Sequence, residues 1–271
     1  MGICPAIAAR RSDEDFFLAG RSLGKWVAAL SASASSESGW VTLGLVGMGF
    51  RFGVQAYWIV PGCLLGFAFI WFVMAGRMRD RAGELGALTV PDFFAAHYQE
   101  RKPILRVLSV VVILTAMLLY VAAQFAAAGK AFNASFPEDI KYQTGVLIGA
   151  GIVMVYTISG GFRAVCWTDF LQALLMLVAL VFFPIYILTQ HGGYSGLFDM
   201  VRAAEPHLLE FWPEKTGWAL VGFVLGSSAL GINFGYPGQP HVLARFMALK
   251  DRREARLGGL IAMTWGGLVL W

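Results

Sequence analysis

Residues 31–40 read Ser31-Ala32-Ser33-Ala34-Ser35-Ser36-Glu37-Ser38-Gly39-Trp40, in the middle of a segment, 26–50, that is otherwise apolar enough to cross a membrane. Hydrocarbon offers no partner to a freed backbone amide or a charge, so hydroxyls and a carboxylate are a costly way to fill a span. Small residues would also let two helices pack closely, and serines can bond back to their own helix, but neither accounts for Glu37. The segment reads as an interrupted helix that holds something polar.

The surrounding composition fixes the solvent. Of 271 residues, 58% are hydrophobic and only 14% charged, with 21 Phe and 9 Trp, which is outside the range of an ordinary soluble domain. Uncharged runs at 52–76, 107–129, 142–162, 170–190 and 216–244 are each long enough for roughly 30 Å of hydrocarbon. The expected fold is an all-α membrane protein, a multi-span helical bundle in one domain, with spans at about 26–50, 53–76, 105–128, 145–159, 164–188, 218–240 and 257–271. Val90-Pro91-Asp92 suits the first turn of a short interfacial helix over 91–98, and Gly160-Gly161 marks a tight turn. A surface helix is expected near 197–204. Residues 1–9 resemble the remnant of an earlier span and Trp271 falls inside the last one, so the chain is expected to be truncated at both ends.

A sequence pI near 9.0 could suggest a nucleic-acid partner, but the basic residues are distributed by loop. Of the 21 Lys and Arg, five (Arg51, Lys130, Lys141, Arg202, Lys215) fall on one side of the alternating spans and the rest, Arg245 among them, on the other. That bias is the positive-inside signature and encodes topology rather than a ligand. No nucleic acid is implied; the lipid bilayer is. Cys4, Cys63 and Cys166 are odd in number and far apart, and the four His show no ligand spacing, so neither a disulfide framework nor a zinc site is indicated. No Ser-His-Asp order, P-loop or complete dinucleotide fingerprint occurs, which argues against an enzyme.

A second interrupted span lies five helices after the first. It reads Gly226-Ser227-Ser228-Ala229-Leu230-Gly231-Ile232-Asn233-Phe234-Gly235-Tyr236-Pro237-Gly238-Gln239-Pro240-His241, poor material for a continuous helix. Glycines four or five apart could instead form a packing face. Paired breaks in corresponding positions point to an inverted-repeat carrier with its solute between them. Freed carbonyls and hydroxyls are hard oxygen donors for an alkali cation, and a half-helix N-terminus suits a carboxylate. Residues 34–40 are candidates on the first helix, with Trp40 and Tyr236 as amphipathic walls. Glu37 has three open readings: facing an aqueous cavity and attracting cations, titrating as a proton carrier, or pairing with a structural arginine. Asp169, beside Trp167 and Thr168, is expected as a helix cap or interfacial residue.

Further motifs add a resemblance. Asp15-Phe16-Phe17-Leu18-Ala19-Gly20-Arg21-Ser22-Leu23-Gly24, Ser38-Gly39-Trp40, Ala75-Gly76-Arg77, Leu88-Thr89-Val90-Pro91-Asp92-Phe93, Ser159-Gly160-Gly161-Phe162, Trp167-Thr168-Asp169 and Gly238-Gln239-Pro240-His241-Val242-Leu243-Ala244-Arg245-Phe246-Met247 resemble the sodium:solute symporter family in register over about 13–271. The resemblance implies part of a five-plus-five inverted-repeat core, with broken helices one and six. By position, Ala34 and Glu37 resemble cation-site residues that coordinate sodium through backbone carbonyls. Ser38, Gly39, Trp40, Tyr120, Tyr236 and Pro240 resemble substrate-site residues, and Arg21 an inside-end arginine tied to coupling. Two positions depart from members that carry proline: a familiar aspartate is Ser36 here, with the carboxylate one residue later at Glu37, and a tryptophan is Ile232.

The implied activity is sodium-coupled symport of a small amino acid, proline foremost, into the cell across the inner membrane by alternating access. Two alternatives stand beside it: proton coupling through Glu37, and a transporter-like sensory input module of a membrane histidine kinase. A downstream kinase region in the gene would favour the last.

Overall fold

A computed structural model describes residues 12–214, 217–226 and 230–270. Cys4, Arg10, Arg11, Lys215, Ser227, Ser228, Ala229 and Trp271, together with the span remnant expected over 1–9, lie outside the described residues. Among the described residues the chain is helical, its one β-bridge pairing Leu23 with Leu249.

The chain opens with α1 (Asp13–Leu18), capped by the hydroxyl of Ser12 and carrying three acidic residues in its first turn, where the helix dipole favours them. Helix α2 (Lys25–Gly39) follows. A π-helical stretch, Trp40–Leu45, leads from it into α3 (Val46–Phe52), and after the turn Gly53–Trp58 come α4 (Ile59–Ala68) and α5 (Gly76–Glu84), joined by a second π-helical stretch, Phe69–Ala75. The short helix expected over 91–98 is α6 (Val90–His97). Thr89 caps it by accepting from the amide of Asp92, and Pro91 sits where its missing N–H costs nothing.

Two long apolar helices then cross the molecule. Helix α7 (Ile104–Ser135) runs as one rod. Helix α8 (Tyr142–Gln190) spans the fourth and fifth expected segments and leaves helical geometry at Gly161, with φ 57° and ψ −159°. Glycine adopts that conformation without a steric penalty, and a Cβ there would lie 3.0 Å from the carbonyl oxygen of Phe16. Most apolar side chains of α7 and α8 face outward, as lipid-exposed surfaces do. Among the described residues, three helical stretches, 25–84, 104–135 and 142–190, are long and apolar enough to cross a membrane.

After the surface helix α9 (Gly193–Ala204), which begins four residues before its expected start, come α10 (Trp218–Leu225), a 3₁₀ stretch Leu230–Gly238, α11 (Pro240–Met247) and α12 (Arg252–Val269). The axis bends by 41° between α10 and the 3₁₀ stretch. At the centre sits α2, packed by α8, α11 and α12, with α4 against Leu230–Gly238. The buried core is one cluster that includes Phe67, Trp71, Phe246 and Trp265.

One end of the bundle is tied by backbone and basic side chains. The amide of Leu23 donates to the carbonyl of Ala248 at 3.1 Å and that of Lys250 to Leu23 at 3.0 Å. Arg79 donates to the carbonyls of Leu249 and Lys250, and Arg163 to that of Ala19. The first turn of α2 is capped from another helix, Glu254 accepting from the amide of Lys25 at 2.6 Å.

Candidate functional site

Most of α2 between Ser31 and Glu37 is buried, and its polar side chains divide into two groups. The first surrounds an ion pair. Arg245 on α11 donates through Nη2 to Oδ2 of Asp169 on α8 at 2.5 Å and to Oγ of Ser35 at 2.6 Å, while its Nε donates to Oγ of Ser31 at 2.6 Å. Ser31 donates onward to Asp169 at 2.8 Å, Nη1 of Arg245 reaches the carbonyl of His241, and the guanidinium lies 5.7 Å from the ring centroid of Phe162. A buried ion pair is tolerated only when its remaining donors and acceptors are satisfied, and here the serines of α2 do that work.

The second group centres on Glu37, which has no solvent exposure. Its Oε1 accepts from the hydroxyl of Tyr236 at 2.9 Å, whereas Oε2 has no protein partner. Tyr236 stands edge-on to Phe67, centroids 5.0 Å apart, and its ring lies over Gly66, where a methyl group would overlap it. The hydroxyl of Ser33, one turn before Glu37, is likewise buried without a partner. Glu37 and Tyr236 thus tie the first interrupted helix to the second.

The break itself is sharp. Ser38 adopts φ 41° and ψ −145°, forbidden to most L-residues. Residues up to Glu37 keep helical geometry, so the interruption expected within 31–40 narrows to Ser38, followed by the π-helical stretch. Several polar groups around the break are met by side chains from elsewhere in the chain. The amide of Gly39 donates to Gln124 at 3.2 Å, the hydroxyl of Tyr120 to the carbonyl of Ser35 at 2.9 Å, and Ser36 to Oε1 of Gln239 at 3.0 Å. Tyr120 also stacks on His241, centroids 5.1 Å apart.

The structure thus brings Ala34, Glu37, Ser38, Gly39, Tyr120 and Tyr236 around one bend. Trp40 begins the π-helical stretch and packs on the core, its indole against Gly44. Pro240 opens α11. Arg21 lies apart, about 20 Å along α2 from the break at 1.5 Å per residue. It donates to the carbonyls of Met247 and Ala87 and pairs with Glu14 at 2.5 Å.

Three expectations change. Asp169 is neither a cap nor interfacial: it sits inside α8, buried, as the counter-ion of Arg245. Arg245, counted with the loop arginines, is a core residue at 3% exposure. Glu37 neither faces an aqueous cavity nor pairs with arginine, because the buried guanidinium is taken by Asp169. An ionisable residue within an apolar span is itself a signal of function, and Asp169 in the run 164–188 carried it. Gln124 and Gln239 had no such mark, since a glutamine's partner is set by packing.

The chain is 37% identical over 253 residues to the sodium/proline symporter of Salmonella typhimurium, covering 93% of this chain and 49% of that protein, and equally identical to that of Escherichia coli K12. It is 36% identical over 252 residues to the high-affinity proline transporter PutP of Bacillus subtilis, covering 93% of this chain and 52% of the relative. It therefore spans about half the length of these curated relatives, which carry the names of transporters rather than enzymes. The model of the sodium:solute symporter family matches residues 16–271, and the chain belongs to that family.

Proposed function

We propose that the protein carries out sodium-coupled uptake of a small zwitterionic amino acid, proline foremost, across a bacterial inner membrane by alternating access. The observation that carries this reading is the 2.9 Å bond from Tyr236 to Glu37, which joins the break at Ser38 to the non-α stretch Leu230–Gly238. In this reading the carbonyls of Ala34 and Glu37 supply hard oxygen donors to sodium, and Ser38, Gly39, Trp40, Tyr120, Tyr236 and Pro240 surround the solute. Arg21, which bridges Glu14, Ala87 and Met247, couples movement of the inner end to the site. The names of the proline-carrying relatives support the substrate.

The energetics suffice. Each sodium entering gains about 2.3 kcal/mol per 100 mV of inside-negative potential. A tenfold solute gradient costs about 1.4 kcal/mol, so one ion supports more than tenfold accumulation. The test is uptake of labelled proline by the whole gene product in liposomes, with and without a sodium gradient at fixed pH. Sodium-dependent accumulation is expected, and equal uptake without sodium overturns the coupling.

A further inference from the structure

We propose that His241 is a further solute-binding residue: its imidazole N–H donates to the carboxylate of the bound amino acid, alongside the hydroxyl of Ser38. This rests on the preceding reading of the solute site and deepens it by naming which of the solute's two charges this wall meets.

Both ring nitrogens of His241 and the hydroxyl of Ser38 are shut off from solvent, and none of them has a hydrogen-bond partner among the described residues. Folded proteins keep few such atoms, because each gives up its bonds to water for nothing in return. Both side chains face Tyr120. The imidazole stacks on its ring, with centroids 5.1 Å and planes 20° apart, and the Ser38 hydroxyl lies beside its phenol. The backbone of His241 is fixed as well, since it follows Pro240 in the first turn of α11 and its carbonyl accepts from Arg245. The ring is thus held in place while its polar edge is left without a bond.

The protein groups nearby are spoken for. The carbonyl of Ser35, which faces the imidazole, accepts from Tyr120, and Asp169 accepts from Arg245 and Ser31. The amide of Gly39 is taken by Gln124 and the hydroxyl of Ser36 by Gln239. A zwitterionic solute brings a carboxylate, a strong acceptor that must exchange its water for donors as it is enclosed. An imidazole carries at least one N–H in either protonation state, and a serine hydroxyl carries one donor. Ser38 stands at the first interruption and His241 closes the second, so a carboxylate held by both bridges the two segments. The carboxylate needs no arginine, and Arg245 stays with Asp169.

The test compares binding of L-proline and L-prolinamide to the purified whole gene product in sodium medium, read as ligand-induced thermal stabilisation. Prolinamide keeps the ring and the amine but lacks the anionic carboxylate. His241→Phe retains an aromatic face for Tyr120 and removes the N–H. It is expected to raise the half-saturating proline concentration about ten- to hundredfold, the range for a hydrogen bond to a charged group, and to leave that of prolinamide nearly unchanged. His241→Asn and His241→Gln carry an amide N–H toward one ring-nitrogen position or the other, and one of the two is expected to recover part of the preference for proline. Unchanged proline binding in His241→Phe, equal weakening of both ligands, or no recovery in either amide variant overturns the proposal and leaves the symport reading standing. If His241→Phe does not fold, the amide variants decide: a preference for proline that differs about tenfold between them supports the bond, and equal preferences overturn it. The expected pattern found equally in choline medium overturns sodium coupling and supports the role of His241. A wild-type protein that binds neither ligand overturns both.

Discussion

Arg245 and Asp169, 76 residues apart in the chain, meet at 2.5 Å in a pair whose side chains are 4% and 11% exposed. The pair joins α11 to α8 across α2, whose Ser31 and Ser35 complete its hydrogen bonds. Removing one partner strands the other. Asp169→Asn is expected to lower stability by about 3–5 kcal/mol, the range for breaking a buried pair. The double variant Asp169→Leu with Arg245→Met should recover much of that loss, read as thermal unfolding in detergent. A single variant as stable as the wild type would show that the pair does not hold these helices together.

Gly66 lets the Tyr236 ring reach Glu37. In Gly66→Ala the new methyl overlaps that ring, and overpacking of this kind costs about 1–3 kcal/mol. The apparent KM for solute is expected to rise as Tyr236 is displaced. Gly267→Ala on α12, where a Cβ would meet nothing within 4 Å, should leave uptake unchanged and serves as the control.

The break at Ser38 rests on a backbone conformation with φ 41°. Ser38→Gly should keep or raise thermal stability, because glycine relieves the strain. Ser38→Val should lower it by about 1–3 kcal/mol. Equal melting temperatures for the two variants would mean that residue 38 is not held at positive φ.

Outside the membrane, Asp251 caps α12 by accepting from the amide of Glu254 at 2.8 Å, and that bond holds its carboxyl below the ordinary carboxylate range. A lowered folded-state value means that the ionised cap stabilises fully above the unfolded carboxylate range and that this contribution is lost as pH falls from there through the lowered folded-state value. Asp251→Ala is expected to cost on the order of 1 kcal/mol near neutrality. The difference from wild type should shrink on acidification. A pH-independent gap would point to a cause other than the ionised cap.

The short helix α6 was legible because its signal is local. Thr89, Pro91 and Asp92 each act within one turn, and α6 begins where they place it. The polar run at 31–40 marked an interruption for the same reason, yet not its exact place, since 31–37 keep helical geometry with Ser31 and Ser35 bonded to Arg245 and Asp169, and Ser36 to Gln239, all from elsewhere in the chain. Asp169 was misread because a carboxylate near Trp167 and Thr168 looks interfacial until its partner, 76 residues away, is known.

The sequence alone determined that this is a multi-span helical membrane protein with two interrupted segments, because hydropathy, charge bias and helix-breaking residues act through neighbours in the chain. Only the tertiary structure decided that Asp169 belongs to Arg245 and Glu37 to Tyr236. Each acid could have taken several partners, and the choice falls to whichever donor packing brings within 3 Å and encloses.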